Sequence, residues 1–333
     1  KENKIENVIL EASSHGLDQK RLDNIDISTG IFTNLSHDHL DYHKNMHTYF
    51  NAKMYLFKNL LKKNSSIITD EQNKEFNKIK FVAKKKKSKI ITIGSNSKDL
   101  KILYSKYKNN RQIVKIKVQS KEYLIKTSLI GKFQLKNLFM AAIAASKCGV
   151  DYEKIFSSIN KIKAIPGRLE CISNLPNNSK IIVDFAHTPD ALEKTLIELK
   201  KQFKSEIIIV FGCGGDRDKK KRFRMGYVAK KYCKKIYITD DNPRFENPKK
   251  IRRDIKKGIK KKKIIEISNR EVAISKAIKN LNTGDVLLVA GKGHEKTQDI
   301  GNKKIYFSDR KIILNAIKIK NINLSDNLKI NAI

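Results

Sequence analysis

Apolar residues follow two alternating patterns along the second half of this chain. The runs KIIVDF (180–185), EIIIVFG (206–212), KIYITD (235–240), KIIEIS (263–268) and DVLLVAG (285–291) are short, β-branched and predict buried strands. Between them, DALEKTLIELKKQF (190–203), RMGYVAKKYC (224–233), PKKIRRDIKKGI (248–259) and REVAISKAIKNL (270–281) carry apolar residues at helical spacing. Strand and helix in alternation predict an α/β unit, a parallel sheet covered by helices in the Rossmann manner. The first half opens on a strand-like NVIL (7–10), which puts Glu11 at a strand end, and a second strand ends in Asn34. A helix over NAKMYLFKNLL (51–61), a lysine-rich strand and hairpin region to about residue 130, and an alanine-rich helix over FQLKNLFMAAIAASKCG (133–149) follow. The pattern pauses at Pro166 and Gly167, so the domains are expected to be 1–166 and 167–333.

A length of 333 residues suits two such domains. No apolar run approaches the roughly eighteen residues of a membrane span, so the protein is expected to be cytoplasmic and without membrane insertion; it is also expected to be a monomer. Residue 1 is Lys and no signal segment follows, which reads as a fragment missing its front. Cys148, Cys171, Cys213 and Cys233 form no CxxC pair and are expected to be small buried hydrophobes.

The formal charge of +37 alone points to a nucleic-acid partner. Its distribution argues otherwise. Lysines run along the whole chain, and the aromatics are not interleaved with them as a base-stacking face requires. The runs KKKK (84–87) and KKGIKKKK (256–263) read as solvated surface, so no specific nucleic acid is expected; a basic nucleic-acid-binding protein remains the non-enzyme alternative.

The loop FGCGGDRD (211–218) follows a strand but fits neither nucleotide fingerprint. Five of the seven histidines lie between His15 and His47, which invites a zinc site through His37, His39 and His43; the usual fourth ligand and spacing are missing. Glu11, Asn34, Asp38 and His39 suit better a hard cation such as Mg²⁺ that bridges phosphates, with a hydrogen-bonded turn as the plain alternative. In DDNPR (240–244) a proline pins an arginine at a strand end, although D-N-P would also start and cap the helix PKKIRRDI.

Nine stretches in order resemble the Mur ligases, ATP-dependent amino-acid-adding enzymes of peptidoglycan precursor synthesis. They are EASSHGLDQKR (11–21), FTNLSHDHLDYH (32–43), NAK (51–53), F-Q-x-x-N (133–137), PGRLE (166–170), VDFAHTPDAL (183–192), FGCGGDRD, DDNPR and AGKGHE (290–295). The resemblance implies a truncated central ATPase-type domain over 1–166 and a Rossmann-like amino-acid-binding domain over 167–333. It implies Mg²⁺ at Glu11, His39 and a carbamylated Lys53, with Lys53 and Arg168 catalytic. Asn137, Arg168 and Asp184 match nucleotide contacts for ATP, and Ser13, Gln19 and Arg21 match those to the UDP-muramoyl peptide. Arg217, Asp241, Asn242, Arg244, Gly291 and Glu295 match the amino-acid pocket, Glu295 taking the distal ammonium. DNPR marks the diaminopimelate-adding branch, which joins meso-2,6-diaminopimelate to the D-glutamate carboxylate of UDP-N-acetylmuramoyl-L-alanyl-D-glutamate through an acyl phosphate. Lysine-adding relatives lack the arginine, and a folylpolyglutamate synthetase-like ligase would lack DNPR and GKGHE. Gln134 and Phe185 stand where the family usually has Asn and Tyr, which bears on nucleotide affinity. The family's uridine-binding domain and Gly-Lys-Thr phosphate loop would precede Glu11, so this stretch alone is expected to bind ATP weakly.

Overall fold

The computed structural model describes residues 5–36, 38–108, 110–260 and 264–330. The chain forms two compact units, Lys1–Lys163 and Ala164–Ile333. In the first, α1 (Ser14–Asp18), β1 (Ile27–Phe32), α2 (Leu40–His43) and α3 (Met46–Tyr55) come in order, and α3 runs into one π turn, Leu56–Leu60. Then follow β2 (Leu61–Asp70), α4 (Phe76–Lys85), β3 (Lys89–Gly94), β4 (Leu100–Lys108), β5 (Arg111–Val118), β6 (Lys121–Thr127), α5 (Lys132–Lys147) and α6 (Tyr152–Ser158). The sheet order is β1-β2-β3-β4-β5-β6, parallel as far as β4 and antiparallel beyond it.

Neighbouring residues of β2 show how both faces are buried. Ile67 joins Phe32, Phe50, Met54, Phe57 and Ile79 on the side of α3 and α4, while Ile68 joins Ile91, Phe139, Met140 and Ile143 on the side of α5. A strand period of two sends these adjacent side chains to opposite layers, and each buried aliphatic side chain contributes about 1.5–3 kcal/mol.

Several local expectations for this unit are corrected. Residues 5–13 form no strand, so Glu11 does not end one; Val8 and Ile9 are 77% and 93% exposed, because an apolar run becomes a strand only against a ladder partner. The next strand ends at Phe32, before Asn34. The helix expected at 51–61 begins at Met46, where Asn45 caps it by accepting the Thr48 N–H at 2.9 Å, and its regular part stops at Tyr55. The lysine-rich region contains α4, whose last turn holds Lys84 and Lys85 where cations suit the helix dipole. Cys148 is exposed at the end of α5, and Cys171 is half-buried.

The second unit runs β7 (Glu170–Asn174), β8 (Lys180–Asp184), α7 (Pro189–Phe203), β9 (Ile207–Phe211), α8 (Lys220–Tyr232), β10 (Lys235–Ile238), α9 (Pro248–Lys256), β11 (Ile264–Glu266), α10 (Arg270–Lys279), β12 (Val286–Ala290), β13 (Thr297–Ile300), β14 (Lys303–Tyr306) and α11 (Asp309–Ile330). Its sheet order is β11-β10-β9-β12-β8-β7, parallel except for the antiparallel edge strand β7. Ile181, Val183, Ile208, Val210, Leu287 and Val289 pack with Ala273, Ile274 and Ile278 of α10 and Ile313 of α11. The alternate residues Ile182, Ile209 and Leu288 are buried as well, so the sheet is covered on both faces, as continuous apolar strands require. Order reverses between β9 and β12, and loops outside the carboxyl ends of such strands are where α/β folds bind ligands. The hairpin β13–β14 and the edge strand β7 have no counterpart in the sequence reading. Among the described residues no helix is long and apolar enough to cross a membrane.

Candidate functional site

In the first unit a ring-rich cluster gathers the residues singled out between 11 and 53. Ser13 caps α1, its hydroxyl accepting the Gly16 N–H at 3.1 Å. Ser14 Oγ lies 2.9 Å from His43 Nε2, and the His43 ring stacks on Tyr49 at 5.1 Å. His39 sits at φ +56, a conformation fixed partly by its N–H donating to Asp38 Oδ1 at 2.9 Å, and its ring meets those of His15 at 4.9 Å and Tyr49 at 5.8 Å. Gln19 Nε2 donates to the Tyr42 hydroxyl at 3.3 Å, which donates to Asp18 at 2.9 Å. The Arg21 N–H donates to the Gly16 carbonyl at 2.8 Å, so its backbone closes the turn after α1.

Lys53, on α3, brings a half-buried cation to this cluster. Its ammonium lies 5.3 Å from the Tyr49 ring. Burial lowers its pKa, and the carboxylates of Asp38 and Glu11 act in the opposite direction, which brings Glu11, Asp38 and Lys53 into one electrostatic neighbourhood. The same burial, aided by Asp38, pushes the Tyr49 phenol up to about 12. His43 is committed to Ser14 and Tyr49, His37 lies outside the described residues, and among the described residues no three His, Cys, Asp or Glu side chains converge as a metal site. Asn137 is exposed on the second turn of α5, and Gln134 is buried.

In the second unit four strand-end loops interlock. Arg168 lies over the Phe185 ring at 4.5 Å. Asp184 is buried; its Oδ2 accepts the Leu169 N–H at 2.7 Å, and its Oδ1 accepts from Ala186 N at 3.0 Å and Thr195 Oγ1 at 3.2 Å. Burial pushes this carboxyl's pKa up, while those bonds pull it down. Gly167 has φ +68, and a Cβ there would stand 2.2 Å from His294 N, so the PGRLE turn closes directly on GKGHE.

The DDNPR loop is clamped from two sides. Arg244 is at φ +50; its N–H donates to Asp299 O at 3.0 Å and its carbonyl accepts from Gly301 N at 2.7 Å, both in the β13–β14 hairpin. Its Nη1 donates to Gly215 O at 2.7 Å, and Gly215 N donates back to Asn242 O at 2.8 Å. Asp241 accepts from Gln298 Nε2 at its carbonyl, 2.6 Å away, and its Oδ2 would lie 2.7 Å from a Cβ on Gly291. Asn242 Nδ2 donates to Glu295 Oε2 at 3.0 Å. Thus Asp241, Asn242, Arg244, Gly291 and Glu295 come together, while Arg217 is exposed on the glycine loop. D-N-P is no helix cap: α9 is capped by Asn247, whose Oδ1 accepts Lys249 N at 2.9 Å. Cys213 beside this loop is buried, which pushes its thiol up to about 12 and leaves it inert.

An alanine Cβ at 215 would stand 1.9 Å from Pro243 O. Gly215→Ala is therefore expected to cost about 1–3 kcal/mol by overpacking and to part the glycine loop from DDNPR. A thermal melt of the variant matching wild type would show that the two loops separate freely.

Sequence reasoning missed the charges beneath this surface. Lys292 is fully buried, as are Arg222 and Arg270. Arg222 donates to Glu246 at 2.7 Å, and Glu246 accepts Asp216 N at 2.7 Å, which pins the glycine loop. Arg270 makes two 2.8 Å bonds to Asp309 and one of 2.9 Å to Ala290 O; its Nη1, 4.0 Å from Asp241, has no hydrogen-bond partner among the described residues. In a chain with 71 lysines and arginines nothing local distinguishes a buried cation from a solvated one.

Residues 1–145 match the Mur ligase middle domain, and residues 167–293 match the Mur ligase glutamate ligase domain. A protein of Rickettsia rickettsii named UDP-N-acetylmuramoyl-L-alanyl-D-glutamate--2,6-diaminopimelate ligase is 44% identical over 322 residues, covering 96% of this chain and 66% of that protein. One of the same name from Rickettsia felis is 38% identical, covering 96% and 69%. A solved structure of a ligase of that name is 34% identical with a TM-score of 0.62, covering 94% of this chain and 64% of its own. The chain thus spans about two thirds of the length of the relatives it matches.

Proposed function

Because this chain belongs to the Mur ligase family, we propose that the protein containing it adds meso-2,6-diaminopimelate to UDP-N-acetylmuramoyl-L-alanyl-D-glutamate at the expense of ATP. The observation that carries this reading is Arg244. A non-glycine residue at φ +50 costs energy that the surrounding structure must supply, and such residues cluster at functional sites. Here the strain presents a guanidinium anchored by Nη1, with its other donors unpartnered among the described residues. A fixed fork of that kind suits a carboxylate taken in two parallel bonds, and diaminopimelate differs from lysine by one distal carboxylate.

In the proposed reaction the γ-phosphoryl group passes from ATP to the D-glutamate carboxylate, giving ADP and an acyl phosphate. The amine of diaminopimelate then attacks the acyl carbon, phosphate leaves, and the amine proton is lost. Positioning and charge neutralisation carry such transfers, so no enzymic nucleophile is required. Glu11, Asp38 and His39 do not converge as a ready-made metal site among the described residues; a carbamate on Lys53, which shares the electrostatic neighbourhood of Glu11 and Asp38, would add the oxygen ligands that Mg²⁺ prefers, with water and phosphate oxygens supplying the rest. When bound, the ion would neutralise charge on the transferring phosphate. Arg168 on Phe185 is suited to the nucleotide phosphates; Asp184, buried with three intramolecular donors, serves the nucleotide by shaping the turn that carries Arg168.

The test is a ligation assay on the full-length protein with ATP, Mg²⁺ and the UDP-muramoyl dipeptide, offering diaminopimelate or lysine and reading the product mass. Diaminopimelate should be joined with strong preference. Equal use of lysine, or activity with folate and glutamate instead, would sink the assignment.

A further inference from the structure

Lys292 is 0% exposed, yet the substrate reading gives it no role. Its ammonium donates to Glu295 Oε2 and to Asn242 Oδ1, each at 2.8 Å, and stands 6.0 Å from the Phe307 ring. Asn242 closes the triangle, since its Nδ2 donates to the same Glu295 Oε2 at 3.0 Å while its Oδ1 also accepts Asp299 N at 3.1 Å. A lysine only donates, so Asn242 must turn its oxygen toward Lys292 and its NH₂ toward Glu295. Both donors therefore meet one carboxylate oxygen. The Glu295 side chain keeps 33% of its surface, and its Oε1 has no hydrogen-bond partner among the described residues.

Resting on the diaminopimelate reading, we propose that Lys292 is a positioning residue that, with Asn242, pins Glu295 through Oε2 and presents Oε1 alone to the distal ammonium of the incoming amino acid. The buried lysine offsets most of the carboxylate's charge at long range, so cations are not drawn in generally. What remains is a directed acceptor at one point. An amino acid that places an ammonium there satisfies it, and one without leaves a desolvated acceptor unpaired, which is how a polar pocket rejects analogues strongly. The arrangement makes Glu295 a reader of the distal amine, complementary to Arg244 as a reader of the distal carboxylate.

The test uses the full-length ligase and three variants: Lys292→Met, Glu295→Gln and the double change. For Lys292→Met the KM for diaminopimelate should rise about 10–10²-fold, the scale of losing the hydrogen bonds of a buried group, with the KM values for ATP and the UDP-muramoyl dipeptide within about twofold of wild type. Wild type should prefer diaminopimelate to 2-aminopimelate, which lacks only the distal amine, by about 10²-fold or more; Lys292→Met should erase most of that preference. Because Lys292 acts through Glu295, the double variant should be no worse than Glu295→Gln alone. A purely structural lysine would raise all three KM values together, or its effect would multiply with that of Glu295→Gln, and either result overturns the proposal. If Lys292→Met does not fold, the double variant, which leaves no unpaired charge, carries the comparison with Glu295→Gln. Failure of wild type to use diaminopimelate would instead overturn the substrate reading.

Discussion

For the proposed ligase, replacing Arg244 with alanine is expected to lower kcat/KM for diaminopimelate by roughly two or more powers of ten, the consequence of removing one partner of a desolvated charged pair. Dependence on ATP and on the UDP-muramoyl dipeptide should hardly change, because the guanidinium is anchored on the glycine loop of the amino-acid pocket. Arg244→Lys should recover little, since an ammonium cannot supply two parallel donors and would lose the bond to Gly215 O. Discrimination against lysine should collapse in the alanine variant through loss of diaminopimelate activity, not through gain of lysine activity. Steady-state kinetics with both amino acids measures this directly; a ratio left untouched by the substitution would reduce Arg244 to part of a turn.

Lys53→Ala should cost about 10²–10³-fold in turnover, the scale of one lost electrostatic contact at a reacting centre, without unfolding the unit. Carbamylation consumes the neutral amine, and burial lowers the Lys53 pKa, which makes that form accessible at lower pH than for a solvated lysine. The sign follows. Between the lowered folded value and the unfolded one, the unfolded chain binds the extra proton, so stability rises with pH through that window and protonation at lower pH opposes the carbamate. Carbon-13 NMR in labelled bicarbonate should show a carbamate in the wild-type full-length protein that is absent from Lys53→Ala. Short carboxylates should partly restore the alanine variant. Full activity in that variant would remove Lys53 from the chemistry.

What was legible in the sequence follows the range of the forces involved. The strands of the second unit are continuous apolar runs because both sheet faces are covered, and the helices between them keep one apolar face; each signal is local and survived folding. The segment at 7–10 looked equally strand-like, yet Ile9 is exposed, because a ladder partner is a non-local requirement. The cap at Asn45 is a local signal, an Asn just before the helix, whereas the π turn at Leu56–Leu60 has no local signature. In the candidate site, the resemblance to the Mur ligases pointed to Asn242, Arg244 and Glu295. It gave no hint of the buried lysine between them, since burial of a charge depends on distant partners such as Asn242, fifty residues away.

Arg244 is fixed mainly through atoms that every residue possesses. The β13–β14 hairpin grips it by the carbonyl of Asp299 and the N–H of Gly301, and the glycine loop grips it by the carbonyl of Gly215. Among the described residues, Gln298, which donates to Asp241 O, is the one hairpin side chain seen to hydrogen-bond DDNPR. Evolution can therefore rewrite most of the hairpin's outward residues, tuning surface charge or solubility, without moving the arginine. A deletion of a single hairpin residue would slip the register and shift the guanidinium along with it. Mutational tolerance in this segment should accordingly be wide for substitutions and narrow for insertions and deletions.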